Sequence, residues 1–379
     1  MKNIIHVKTT IAFLVIVLVI FSCNWENGKN NHNLRVQSLN VISKNDFVNK
    51  DFIKSIRYIK LSTKDPKSLF AQIDKIKIKN NNIYLLDATG QHFVYVFDMD
   101  GNFIQRIGQK GKGPGEYSRL YDFDVDEKGN IYLLEMQKRR IIEYDKRGKL
   151  IMDKQLPFRA DAFNFLNEKN YIFSLKNIST NPDMNSKIII TDSSFNIKRR
   201  YFTYDKNYLD DKGNTNIFQE TKPGLLYNKP VNDTMYIFNK NGEITDAFYF
   251  DFGNKTVPKE LKNSYEKLGI EREKRNFEYF NHTPLLIKNF IIGNIFSDFK
   301  KAFILYDLNT GKTFQHELSE ENFYSTNINF PMSVFDDSTV VSYLDAQLYG
   351  FISDKSNLSS DIQSHLQNGG TVLSIYSIK

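Results

Sequence analysis

Residues 108–117, "GQKGKGPGEY", gather four glycines with Lys110, Lys112 and Glu116, and Arg119 follows shortly after. Glycines among cations are the material of an anion-binding loop. The spacing follows a G-x-x-x-x-G-K-[ST] phosphate loop only from Gly108 to Gly113. Pro114 stands where the lysine is required, and no Ser or Thr comes next. The segment also leads into a strand pattern, so no helix N-terminus is offered to an anion. It reads first as an ordered connector. Its second reading is a ligand-contacting loop in which Lys110, Lys112, Glu116 and Arg119 reach inward.

Other chemistry-bearing residues are sparse. Asp122, Asp124 and Asp126 alternate with Tyr121, Phe123 and Val125, which puts the acids on one face of a strand. An EF-hand needs Gly at its sixth position and Glu at its twelfth, where this chain has Glu127 and Leu133. Hydrogen-bonded or solvated carboxylates are therefore expected, with no metal and no cofactor. Beyond the first 23 residues, His32, His92, His282, His316 and His365 show no metal-ligand spacing, and neither H-E-x-x-H nor G-x-S-x-G occurs. Arg139-Arg140 and Arg199-Arg200 are the sharpest cationic pairs, suited to carboxylate or sulfate. Arg139 and Arg140 join the candidate ligand residues, although Arg140 also reads as a structural residue pairing with an acid. No catalytic residue is assigned.

The elements that must position these groups repeat. Asn82-Ile83-Tyr84-Leu85-Leu86-Asp87 recurs 48 residues later as Asn130-Ile131-Tyr132-Leu133-Leu134-Glu135. Phe97-Asp98-x-x-Gly101 recurs as Tyr144-Asp145-x-x-Gly148. A period of 40–50 residues with short strands and turn signals marks a propeller blade. Weaker units follow at 162–202, 225–252, 289–314 and 334–378, and "IRYIKL" (56–61) is free to complete the last blade. Pro258–Phe280 reads as a helical insertion between the fourth and fifth units, and Ser356–Gln367 as a short C-terminal helix stopped by Asn368-Gly369-Gly370. The fold expected is all-β: one six-bladed β-propeller over 51–379.

Residues 107–150, with their Gly-Pro-Gly loop, "D-x-x-G-N-I-Y" turn and "R-I-x-x-Y-D-x-x-G-K" hairpin, resemble an NHL-type propeller repeat. The whole chain resembles the six-bladed propeller lipoproteins of Bacteroidetes (NHL- or TolB-like), largely of unknown function. That resemblance implies a fold and an address, and adds almost nothing on activity.

The address rests on the first residues. Lys2 and Lys8 precede an apolar run, Ile11–Phe21, that suits a secretory signal and is short for a membrane span. Ile20-Phe21-Ser22-Cys23 resembles a lipoprotein lipobox, which implies removal of 1–22 and acylation of Cys23. Cys23 is the only cysteine, so disulfides and cysteine-based metal clusters are excluded. A cysteine that merely sits in a cleaved or anchoring segment is the plainer alternative. Residues 23–50 are expected to be a polar tether and lead-in, holding the protein on the membrane, in the outer membrane by resemblance, without spanning it.

Composition narrows the partners. The formal charge of +7 is a lysine surplus without a basic block, so nucleic acid is not expected. Phe (31) and Tyr (21) are abundant, as suits pleated sheets. The expected function is a non-enzymatic envelope binding module for a protein or a carbohydrate. The alternative is a hydrolase or lyase with a metal or acid/base site at the channel mouth. A sensory input role would require a second, membrane-spanning protein.

Overall fold

In this computed structural model the described residues are 34–176, 185–204, 216–262, 264–320, 323–324 and 326–379. Cys23 and the leader lie outside them. Leu34–Lys379 forms one compact unit.

Six antiparallel sheets form a ring, numbered here as blades 1 to 6 along the chain. Blade 1 runs outward through Lys75–Lys79, Asn82–Asp87, Phe93–Asp98 and Phe103–Ile107. Blade 2 repeats this with Asp122–Val125, Ile131–Glu135, Arg140–Tyr144 and Leu150–Gln155. Blade 3 spans Ala160–Asn167 to Ile197–Thr203, and blade 4 spans Phe218–Thr221 to Ile244–Asp251. Blade 5 divides its inner strand into Tyr279–Phe280 and Leu285–Ile287, both paired with Phe290–Ser297. Blade 6 takes Ser333–Asp336, Thr339–Leu344 and Val372–Ile378 from the end of the chain. Its outermost strand is Ile53–Lys60, antiparallel to Val372–Ile378. The "IRYIKL" segment thus closes the ring as expected, and no blade is left as an open end.

The cores lie between blades. Ile76, Leu85 and Val94 of blade 1 share one cluster with Phe123, Val125 and Leu133 of blade 2 and with Val341, Leu373 and Ile375 of blade 6. Blades 4 and 5 meet through Leu226, Ile237, Ile295 and Ile304. Blades 5 and 6 meet through Ile292, Phe303, Val340 and Tyr376. This placement explains why the middle strands read as continuous apolar runs: both of their faces are buried.

One turn chemistry recurs. The third and fourth strands of blades 1 to 5 are joined by hairpins that begin with Asp98, Asp145, Asp192, Asn239 and Asp307. In each, the Oδ1 atom accepts the backbone N–H two residues on, at 2.9 Å. In the first four it also accepts the N–H four residues on, at 2.8–3.0 Å. Gly101 in the first hairpin has φ +84°, and a Cβ there would stand 2.0 Å from the Lys60 carbonyl of the closing strand. Only glycine permits both. In the third hairpin the same turn position is Phe195, at φ +69°. Its ring is buried against Tyr171 and Phe173, which holds the backbone there.

Three features differ from the sequence reading. Within the expected tether and lead-in, Arg35–Asn40 and Lys44–Asp46 form strands parallel to the outermost strands of blades 4 and 5. They read as polar because an added edge strand buries little; in Arg35–Asn40 only Leu39 is buried. The insertion at 258–280 is helical only at Lys259–Lys262 and Tyr265–Glu271, and its end, Tyr279–Phe280, joins blade 5. Ser360–Gln367 is the expected late helix, capped by Ser359. It lies inside blade 6 beside a second helix, Ala346–Phe351, between the second and third strands.

Asp98, Asp145 and Asp192 all have carboxyl pKa values held low. For Asp98 burial opposes ionisation, but its hydrogen bonds to Asn102, Asp100 and Gly101 outweigh it. Hydrogen bonds from the turn dominate directly for Asp145 and Asp192. A carboxylate depressed in the folded state stabilises it above the unfolded value, near pH 4, and loses that contribution as pH falls through the folded value. Asn239 already does the same job without a charge. The triple variant D98N/D145N/D192N is therefore expected to melt near the wild-type temperature at pH 7 and to lose less stability below pH 4. An unchanged acid limb in pH-dependent thermal melts would contradict this.

Candidate functional site

The inner strand of blade 1 is "KIKIK". Alternation turns Ile76 into the interblade core and leaves Lys75, Lys77 and Lys79 to meet the inner strand of blade 2. The Lys75 Nζ donates to Asp122 Oδ1 at 2.8 Å and to the Phe123 carbonyl at 2.9 Å. Lys77 pairs with Asp124, and Lys79 with Glu127 at 2.9 Å. The acids then reach on to blade 3: Asp122 accepts the Phe163 N–H at 2.9 Å, and Asp124 accepts the Phe165 N–H at 2.8 Å. Asp126 instead holds its own hairpin, accepting the N–H groups of Lys128 and Asn130. The three acids expected on one strand face are thus hydrogen-bonded carboxylates.

Lys77 also crosses to blade 4, where it donates to Glu220 Oε1 at 2.7 Å. Lys77 is buried, but Glu220 keeps 53% of its side chain exposed. The pair borders a cavity of about 450 Å³, within the roughly 300–1,000 Å³ common for small-molecule sites. Its walls come from the inner strands of blades 1, 4, 5 and 6, with Asn164 from that of blade 3. Its rim is made by the hairpins that leave them, at Lys222 and Pro223, at Lys288, and at Phe335 to Asp337. Burial works against charge on Lys77, yet Asp124 and Glu220 overcome it and hold the ammonium pKa up. Burial likewise opposes ionisation of Glu220, but Lys77, Lys79 and Lys75 outweigh it and hold its carboxyl down. Burial pushes Asp122 up to about 6, against the pull of Lys75 and of the Phe163 and Phe123 amides.

The six residues singled out from sequence lie elsewhere. The glycine-rich loop enters blade 2 where its inner strand begins, whereas the cavity opens where inner strands end. Arg139 ends the turn between the second and third strands and Arg140 begins the third, on the same face as the loop. The structure therefore brings all six to the face opposite the cavity. Two of them hold the loop. Glu116 accepts the Gly113 N–H at 2.8 Å, and Arg140 bonds Glu135, Asp153 at 2.6 Å and the Glu116 carbonyl at 2.6 Å. The Gly111 and Gly115 N–H groups go to the Tyr117 carbonyl and Asp153. An anion cradle needs those N–H groups free. Lys110, Lys112, Arg119 and Arg139 are exposed.

Sequence reasoning missed Lys75, Lys77 and Glu220. A signal for the lysines existed: Lys75 and Lys77 stand 47 residues before Asp122 and Asp124, one repeat length, so opposite charges occupy equivalent places on adjacent blades. Glu220 carried no such signal, since the inner strand of blade 4 is only four residues long. No cluster of His, Cys, Asp and Glu suited to a metal occurs among the described residues. Among them, half-buried His316 stacks on Phe303 and is pushed down to about 4 by burial, against a hydrogen bond with Asn329.

Asp122→Asn leaves Lys75 buried without its counter-charge and is expected to cost about 3–5 kcal/mol, read as a lower denaturation midpoint. Adding Lys75→Met is expected to restore much of that loss. Simply additive losses would mean that the two do not act as a pair.

Comparisons with known proteins agree on the ring. BF0058 of Bacteroides fragilis NCTC 9343, designated an exported protein, superposes with a TM-score of 0.72 at 19% identity, covering 91% of this chain and 99% of that one. A member of the DUF4221 family from Bacteroides vulgatus ATCC 8482 superposes with a TM-score of 0.53 at 10% identity, covering 86% and 97%. No curated protein matches the chain. A family model described as "Domain of unknown function (DUF4934)" matches residues 36–368, and the chain belongs to that family.

Proposed function

We propose that this protein is a non-enzymatic binding module of the bacterial envelope, held to the outer membrane by a lipid on Cys23, with its ligand seat in the channel cavity. The observation that carries the reading is the cavity itself, walled by five blades and bordered by Lys77 and Glu220 in a fixed ion pair. A general acid or base works best with a pKa near the working pH. Both groups are shifted away from neutrality, Lys77 upward and Glu220 downward, so they serve as fixed charges. Among the described residues, the cavity lining contains neither His nor Cys. No helix of the described residues is long and apolar enough to cross a membrane.

Native mass spectrometry of the purified chain after exposure to envelope extract tests the seat. A small-molecule adduct that leaves unchanged on denaturation, and that Glu220→Trp abolishes without altering circular dichroism, is the expected result. An adduct released as a cleaved product would favour the lyase or hydrolase instead.

The opposite face supports a second contact. Lys110, Lys112, Arg119 and Arg139 stand exposed beside a loop that is itself rigidly bonded, a surface complementary to an acidic protein. K112E/R119E is expected to remove a partner captured by crosslinking in intact cells, while the melting temperature stays the same. Capture that survives the double charge reversal would exclude this face.

A further inference from the structure

We infer that the cavity takes a neutral, hydroxyl-rich ligand of saccharide type; this rests on the cavity being the seat of binding. The first ground is charge. Lys75 and Lys77 are balanced by Asp122 and Asp124, which belong to the blade 1–blade 2 contact. At the rim, Lys222 pairs with Asp337 at 3.0 Å. Lys288 donates to the Ile378 carbonyl at 2.8 Å. The Asp336 carboxylate accepts from Ser338. A charged ligand would have to compete with these partners, whereas a neutral one leaves them in place.

The second ground is the hydrogen-bonding capacity left over. Glu220 receives Lys77 and Asn164 through Oε1 alone, so Oε2 remains available as an acceptor on a half-exposed side chain. Gln219 donates through Nε2 to the Met332 carbonyl, which leaves its Oε1 without a partner. Lys288 spends one of three N–H groups on Ile378. Acceptors and donors thus line one cavity, and a hydroxyl group, being both, satisfies either kind. The third ground is apolar surface. Phe335 at the rim is 37% exposed, and Leu286 and Leu308 line the same space. A sugar ring offers this combination, with a C–H face for the phenyl ring and hydroxyls at its edge.

Isothermal titration of the full mature chain with four probes tests the inference: a neutral disaccharide, a neutral tetrasaccharide, a uronic-acid disaccharide and a free amino sugar. Binding of a neutral probe, weakened about tenfold by E220Q or F335A, is expected. K112E/R119E on the far face should bind it normally. Preference for the uronic acid or the amino sugar would overturn the inference. So would failure of all four while the envelope-extract adduct persists, and in that case the seat would survive with a different ligand. Loss of the adduct as well would remove the seat itself. E220Q keeps Lys77 paired with Asp124, so a misfolded variant is not the expected cause of weakened binding.

Discussion

The register of the ring depends on the charged ladder between the first three inner strands. A propeller's inner strands run side by side at the channel without backbone hydrogen bonds between blades. Something other than sheet pairing must therefore set their heights. Here Lys75 and Lys77 reach Asp122 and Asp124, and those carboxylates continue to the Phe163 and Phe165 N–H groups. A two-residue slip of blade 2 would leave either buried Asp122 without an ammonium or buried Lys75 without a carboxylate. Burying these charges stabilises little by itself, because desolvation offsets most of the attraction. Its value is that one alignment satisfies every group and neighbouring alignments do not.

The ladder also makes the channel unequal around its circumference. Blades 1, 2 and 3 fill their share with ammonium groups, carboxylates and the amides they accept from. The inner strands of blades 4 and 6 are four residues long and that of blade 5 is divided, and Lys77 and Asn164 reach across to Glu220. The space left between these strands is the cavity.

What the sequence made legible follows the same division. The first two blades announce themselves through "NIYLLD" and "NIYLLE" and through hairpins opening on Asp98 and Asp145, because local turn chemistry and doubly buried strands leave strong patterns. Closure by residues 56–61 was also readable, since one β-run stood without a partner. Arg35–Asn40 was not, because a strand added to an outer edge needs only backbone pairing and one buried leucine. Phe218–Thr221 was too short to alternate visibly. The glycine-rich loop drew attention through composition, yet its N–H groups are consumed within its own face. Lys77 and Glu220 lie 143 positions apart, and no spacing rule connects them.

The electrostatics of that distant pair bear on what kind of site a decayed propeller channel becomes. An acid or base that exchanges protons near neutrality needs either isolation from opposite charge or a like-charged neighbour that lifts its carboxyl. Glu220 has neither, facing three lysines of the blade 1 inner strand that keep it ionised. Lys77 is held between two carboxylates that keep it protonated. Asp122, a carboxyl lifted toward neutrality next to this pair, is fully buried and occupied by three donors, so no ligand reaches it. The group free to titrate is sealed and the group open to the cavity is locked in its charge. That separation supports the rigid seat proposed above, in which fixed hydrogen bonds would recognise the ligand.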